Sequence, residues 1–369
     1  MEISAPTLLA HQPTIALGTP LGRVFSHARV AGRVPVYLHA LGGEKARAHT
    51  GPRELLAATR AALVQAGHIG AWGAGAVVSA TEDAAAFAIA GCTWFTLDLA
   101  RRVDGRGDTF SLDELDAALV ALEDAGAFTP GWHDAYLDRS FAISPTLTLA
   151  LSDEVLARAA VKFAPALAHA EQLQQAIRTC WAGHGELPDM EVRIATDGRA
   201  TTREEFFFLA QEVRHRGLGV QTLTPNLGPM WEPARADVAA HDFTDFAAIA
   251  AHCGMKLGLA WSDGKTADAG HLDVSEAAPL ELLRQLAERD PLLFHEWLRE
   301  AQLAFPLDRA GWPISTTEDD ARMMPQVADD ALAETFLGST QGRQVLLVTF
   351  ASVAEMPLGE RCAKAVFHL

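Results

Sequence analysis

The feature that most constrains this chain is an alternation. Short apolar runs of about five residues recur between longer stretches with helical starts and stops. The runs are 35–41 (PVYLHAL), 75–80 (GAVVSA), 94–99 (WFTLDL), 190–196 (MEVRIAT), 219–225 (GVQTLTP), 255–261 (MKLGLAW), 271–275 (HLDVS) and 344–350 (QVLLVTF). They read as continuous rather than alternating, which is how a strand buried on both faces reads. Ser111 with Glu114 and Thr202 with Glu205 have capping-box spacing before apolar helical patterns, and Gly126 and Gly217 follow as stops. Further helices are expected at 52–66, 82–90, 152–178, 243–252, 279–288 and 291–304. Eight such runs with helices between them predict an α/β fold, a (β/α)8 TIM barrel with loop insertions. An open doubly wound sheet shares the local pattern, but no GxGxxG follows the first run. The Gly-rich 70–75 (GAWGAG) reads as a loop. The expected organisation is an N-terminal extension, 1–30, packed outside a single barrel domain, 31–369. Insertions are expected at 127–151, as an extra helix or lid, and at 305–343.

Composition limits the partners. Lys+Arg 30 against Asp+Glu 47 gives a net charge of −17. That balance disfavours nucleic acid, whose phosphates need clustered cations, and disfavours an anionic membrane surface. The longest small-or-apolar run, 84–97, is too short to span a bilayer at ~20 residues. The N-terminus lacks the basic and apolar regions of a signal peptide. Four cysteines, at 92, 180, 253 and 362, show no paired spacing and suit free thiols in a reducing cytoplasm. The expectation is a soluble cytoplasmic protein that handles a small molecule, with self-association left open.

A barrel carries its chemistry at the carboxyl ends of its strands. That rule selects Asp98 at the end of the third run and Asn226 after the fifth. It also selects Asp263 and Lys265 after the sixth, and His271 on the seventh. A carboxylate among apolar neighbours suits proton transfer or metal binding, and an imidazole suits both near neutral pH. Lys162 and His169 are seven residues apart and share a helix face. Glu191 reads as lying at the wrong strand end for catalysis, with Arg193 or Lys256 as its partner. HExxH, GxSxG and P-loop patterns are absent, and the histidines never gather at ligand spacing.

Several segments, in order, resemble the tagaturonate epimerase family, barrel enzymes that interconvert keto sugar acids with a divalent metal. FTLDLARRVD (95–104) resembles F-T-x-D-x-x-D-H-V-D and keeps Asp98 and Asp104. AAVKFAPALAH (159–169) resembles A-A-V-K-Y-x-x-A-x-x-H and keeps Lys162 and His169. Residues 201–225 resemble the helix–strand unit T-x-x-E-H-F-F-I-A-x-E-L-K-R-R-G-V-x-x-x-S-L-A-P. HLDVSEAAPLELLR (271–284) aligns with H-V-K-T-A-G-T-S-Y-L-E-A-L-R and keeps His271 and Arg284. The departures fall on polar groups. E-V-S-V-D-E-T reads Glu191-Val192-Arg193-Ile194-Ala195-Thr196-Asp197, and H-S-G-S-D-K reads Ala260 to Lys265 without its histidine. Val78, Glu205 and Leu347 stand where the pattern has histidines.

The resemblance implies a sugar-acid epimerase with Asp98, Lys265 and His271 as catalytic residues. Lys162, His169, Asp263 and Asn226 would contact substrate. Asp98, His271 and Glu205 are the ligands left for a divalent metal, which such a set would hold weakly or not at all. Two alternatives stand beside it: a barrel that binds a sugar or sugar acid without turnover, and a structural paralogue of an active enzyme.

Overall fold

The computed structural model describes residues 2–3, 5–9, 14–18, 36–41, 51–65, 71–181, 185–194, 200–226, 236–259, 271–273 and 292. Eight parallel strands close into a barrel. In barrel order they are β1 (Thr14–Gly18), β2 (Val36–Leu41), β3 (Trp72–Val78), β4 (Trp94–Asp98), β7 (Asp189–Arg193), β8 (Thr222–Thr224), β9 (Lys256–Leu259) and β10 (His271–Asp273). β5 (Phe141–Ser144) and β6 (Leu147–Leu149) form a separate antiparallel hairpin. The helices are α1 (Pro52–Gln65), α2 (Thr81–Ala90), α3 (Leu112–Asp124), α4 (Asp153–Trp181), α5 (Arg203–His215) and α6 (Ala236–His252). Among the described residues no helix is long and apolar enough to cross a membrane.

Part of the N-terminal extension expected outside the barrel lies in its wall. Thr14–Gly18 is a barrel strand, with Thr14 paired to His271 and Gly18 to His39, so it joins β10 to β2. Its five residues, TIALG, are as apolar as the recognised runs, and pairing on both sides satisfies their backbone groups. The glycine run read as a loop also enters the sheet, because β3 starts at Trp72 and is buried along its length. The run 344–350, the helix 279–288, the insertion 305–343 and, apart from the helical Leu292, the helix 291–304 lie outside the described residues.

Both capping boxes form. Ser111 accepts the Glu114 N–H and Thr202 accepts that of Glu205, while each glutamate reaches back to the cap. Each box satisfies two amide groups that a helix start otherwise leaves without partners. The insertion 127–151 carries an extra short 3-10 helix, Trp132–Ala135, ahead of the β5–β6 hairpin. It packs on α5 and α6, with Phe141 on Phe207, Phe128 and Trp132 near Phe208, and Tyr136 donating to Glu212 at 2.6 Å.

β3, β4, β7 and β8 are buried on both faces, and the barrel strands from β4 to β9 alternate. Phe95, Leu97, Met190, Val192, Leu223 and Leu257 join Phe163, Leu167 and Phe206 to Leu209 in one core between sheet and helices. The opposite row contains Trp94, Thr96, Asp98, Asp189, Glu191, Arg193, Thr222, Thr224 and Lys256, matched by register across β4, β7, β8 and β9. Barrel interiors are commonly filled by Val, Ile and Leu. The row across β4, β7, β8 and β9 is polar and charged apart from Trp94, so its polar groups must be satisfied from within.

Candidate active site at the barrel mouth

Asp98 ends β4, Arg193 ends β7 and Thr224 ends β8, and register sets the three side by side. Asp98 Oδ1 accepts the Ala100 N–H at 3.1 Å, while Oδ2 lies 3.8 Å from Arg193 Nη2. The Asp98 side chain is one-third exposed and Arg193 is 5% exposed. Main-chain bonds fix the pair: Leu99 N–H donates to the Arg193 carbonyl at 2.9 Å, and Ile194 N–H to that of Thr224 at 3.0 Å. Asn226, also buried, exchanges two bonds with Thr201. Its N–H donates to Thr201 Oγ1 at 3.2 Å, and its carbonyl accepts the Thr201 N–H at 2.7 Å. The mouth therefore offers a carboxylate, a guanidinium and a polar rim on a rigid strand framework.

Below it, Glu191 occupies the barrel centre with no exposure. Its oxygens accept the Thr96 hydroxyl at 2.7 Å and the Thr224 hydroxyl at 2.5 Å, and Trp94 Nε1 donates to Thr96 at 3.2 Å. Gly258 makes this possible. A Cβ there would collide with the Thr224 hydroxyl and lie 2.8 Å from the Thr222 methyl. Lys256 lies 5.9 Å from the Trp94 ring centre. Burial pulls its pKa down to about 8, against the opposing pull of Asp189 and Glu191. The floor is closed by the N-terminal segment: Thr7 N–H donates to Asp189 Oδ1 at 2.6 Å, and Leu9 packs on Trp94.

The remaining sequence candidates separate. Lys162 is 4% exposed, and its ammonium lies 3.1 Å from Asp108 Oδ1 and 2.9 Å from Glu205 Oε1. The other Glu205 oxygen accepts the Thr202 N–H at 2.8 Å. Pro165 has no N–H for the Val161 carbonyl. One residue on from Val161, the Lys162 carbonyl accepts the Asp104 N–H at 2.9 Å, which ties the β4 loop to α4. His169 Nε2 donates to the Ser79 carbonyl at 2.9 Å, and Nδ1 meets Gln172 at 3.2 Å. Lys162 and His169 do share a face, but that face clamps loops to α4. His271 opens β10, opposite Gly258 and Thr14, whereas Asp98 ends the parallel β4. Asp263 and Lys265 lie outside the described residues.

The described residues do not fit a metal ion. Among them no three His, Cys, Asp or Glu side chains converge. Glu205 has an ammonium on one oxygen and a backbone N–H on the other, and Asp98 faces a guanidinium. A second cation there would be repelled.

The family model of tagaturonate epimerase matches residues 2–365, nearly the whole chain. The chain belongs to the tagaturonate epimerase family. Solved structures agree on the fold. Fructuronate-tagaturonate epimerase from Cohnella laeviribosi, in native form, is 17% identical with a TM-score of 0.64, covering 98% of this chain and 81% of that one. Two glycerol complexes of that protein give TM-scores of 0.64 and 0.62 at 18% and 17% identity. They cover 98% and 96% of this chain, and 81% and 76% of the other. Curated proteins gave no match. Membership places this epimerase-family barrel in carbohydrate metabolism. Sequence reasoning named Arg193 only as a partner for Glu191, and read Glu191 as the start of a strand whose middle it occupies. The signal was there, as the out-in alternation of Met190, Glu191, Val192 and Arg193.

Proposed function

We propose that the chain takes a keto sugar acid of the tagaturonate or fructuronate type into the mouth around Asp98, Arg193 and Asn226. There it acts as an isomerase with a rebuilt site that binds divalent metal weakly or not at all. The family match over residues 2–365 carries this reading. The geometry supports it with a carboxylate able to accept a proton or a sugar hydroxyl, beside a buried cation. The strand framework holds both in fixed orientation. Asp263, Lys265 and His271 are proposed to complete the wall from the β9 and β10 side.

The test is interconversion of tagaturonate and fructuronate followed by proton NMR, on protein dialysed against chelator and then supplied with manganese, zinc or magnesium. Saturable acid binding, substoichiometric metal after dialysis and slow turnover are expected. Absence of binding by either acid rejects the reading. Binding without interconversion under every metal condition selects the second reading, a sugar-acid-binding barrel. The engagement of Asp98 and Glu205 with cationic side chains favours that second reading.

A further inference from the structure

We infer that Arg101 and Arg102 form a cationic rim that draws the substrate's carboxylate into the barrel mouth, and so favours a sugar acid over a neutral sugar. The inference rests on the reading that a sugar acid enters there.

The two arginines lie on a 3-10 turn, Ala100–Arg102, directly after Asp98 at the carboxyl end of β4. The segment around them is held at several points. Leu99 N–H donates to the Arg193 carbonyl at 2.9 Å, and Asp104 N–H to that of Lys162 at 2.9 Å. Between them, Ala100 N–H donates to Asp98 Oδ1 at 3.1 Å. Further along, Arg158 Nη1 donates to the carbonyls of Gly107 and Phe110, each at 3.0 Å. Gly107 permits this approach, since a Cβ there would lie 2.9 Å from the Arg158 carbonyl oxygen. The loop after β4 is thus pinned to α4, and its charges keep their places.

The other charges of that loop are matched. Asp98 faces Arg193 at 3.8 Å, Asp104 holds Arg106 at 2.6 Å and Asp108 holds Lys162 at 3.1 Å. Arg101 and Arg102 are exposed, and among the described residues neither guanidinium has a hydrogen bond or an ion pair. A fixed loop that leaves two guanidiniums unmatched presents a standing positive charge, because arginine stays protonated. The chain as a whole carries −17 and repels an anion, so cations at the mouth offset that repulsion where an acid must enter. The sequence runs the same way. Where the family pattern reads D-x-x-D-H, this chain reads Asp98-Leu99-Ala100-Arg101-Arg102, with two cations in place of an acid and an imidazole. A 3-10 turn has three residues per turn, so successive side chains diverge by about 120°. Arg101 and Arg102 therefore act through their summed charge, not as two jaws on one carboxylate.

The experiment compares tagaturonate and fructuronate with the neutral ketoses tagatose and fructose, by calorimetric binding to wild type, Arg101→Gln/Arg102→Gln and Arg101→Lys/Arg102→Lys. Each is measured at ~10 mM and ~1 M sodium chloride, where charges are screened beyond about 30 Å and 3 Å. Wild type should lose about three- to fivefold in acid affinity at high salt, the effect of two solvent-exposed charges on one anion, and ketose binding should not follow. The glutamine pair should show the weakened acid affinity already at low salt, with little further loss at high salt. A folding defect would instead weaken acids and ketoses alike at both salts. The lysine pair, which keeps charge without the planar fork, should recover most of the lost affinity. Acid affinity of wild type that ignores salt overturns the rim and leaves the sugar-acid reading standing. So does equal acid binding by wild type and the glutamine pair at low salt, or a lysine pair as weak as the glutamine pair. No acid binding by folded wild type overturns the sugar-acid reading, and the rim with it.

Discussion

Lys162 Nζ lies 2.9 Å from Glu205 Oε1, joining the middle of α4 to the first turn of α5. With Asp108 as a second partner, the ammonium is a buried node rather than a solvated charge. Removing it strands two carboxylates. Lys162→Met should lower unfolding free energy by about 3–5 kcal/mol, measured by urea denaturation. A direct substrate contact would show the other pattern, with weaker acid binding and an unchanged unfolding midpoint.

Gly258 faces Thr224, Thr222 and Glu191 so closely that no side chain fits. Gly258→Ala must displace the Thr224 hydroxyl and break its 2.5 Å bond to Glu191. Overpacking of this kind costs about 1–3 kcal/mol. The thermal midpoint should fall accordingly, and Thr222→Ser, which removes the methyl 2.8 Å from the new Cβ, should restore part of the loss in the double variant. Full stability in Gly258→Ala alone would contradict the close packing described.

Lys256 carries a pH signature. Its folded pKa, about 8, lies below the ~10.4 of an unfolded lysine. Between those values the unfolded chain binds the extra proton, so stability rises with pH, by at most about 1.4 kcal/mol per unit. The contribution is complete above the unfolded pKa and lost as pH falls toward 8. Denaturation of wild type and Lys256→Met should therefore diverge in wild type's favour from pH 8 to pH 10. Parallel curves over that range would contradict the buried ammonium.

Thiol reactivity should be selective. Burial pushes the Cys92 thiol up to about 12 and that of Cys253 up to about 11, while Cys180 is only half-buried. The thiolate is the reactive form. Of these three, Cys180 alone should label with an aromatic disulfide reagent at pH 8 in native protein. Cys92 and Cys253 should follow on unfolding, as mapped by peptide mass spectrometry.

The strands from 36–41 to 271–273 were legible because each is a short apolar run between a helix stop and the next cap. β1 escaped notice because Thr14–Gly18 stands apart from any recognisable helix. A five-residue run near a terminus has no partner signal of its own. Asp98 was legible by its place at a strand end. Arg193, Glu191 and Lys256 were not, because a charged residue inside an apolar run reads as the end of a strand, not as its interior row. Only register, pairing Thr96 with Glu191 and Asp98 with Arg193, shows that these side chains share one face. The commitment of Lys162 to Asp108 and Glu205 joins residues far apart in sequence, which helix spacing cannot show.

The pairing of Thr14 with His271 also sets an order of events at the ribosome. β1 is the first barrel strand to emerge, and one of its two neighbours, β10, is the last of those described. Synthesis proceeds at roughly 5–20 residues per second. Until that neighbour arrives, the growing chain holds an open sheet with two unpaired parallel edges. Such edges invite pairing with other chains. The seam between β1 and β10 thus makes this barrel vulnerable during its own synthesis, and a permuted chain with new ends elsewhere and β10 fused ahead of β1 should shorten that exposure.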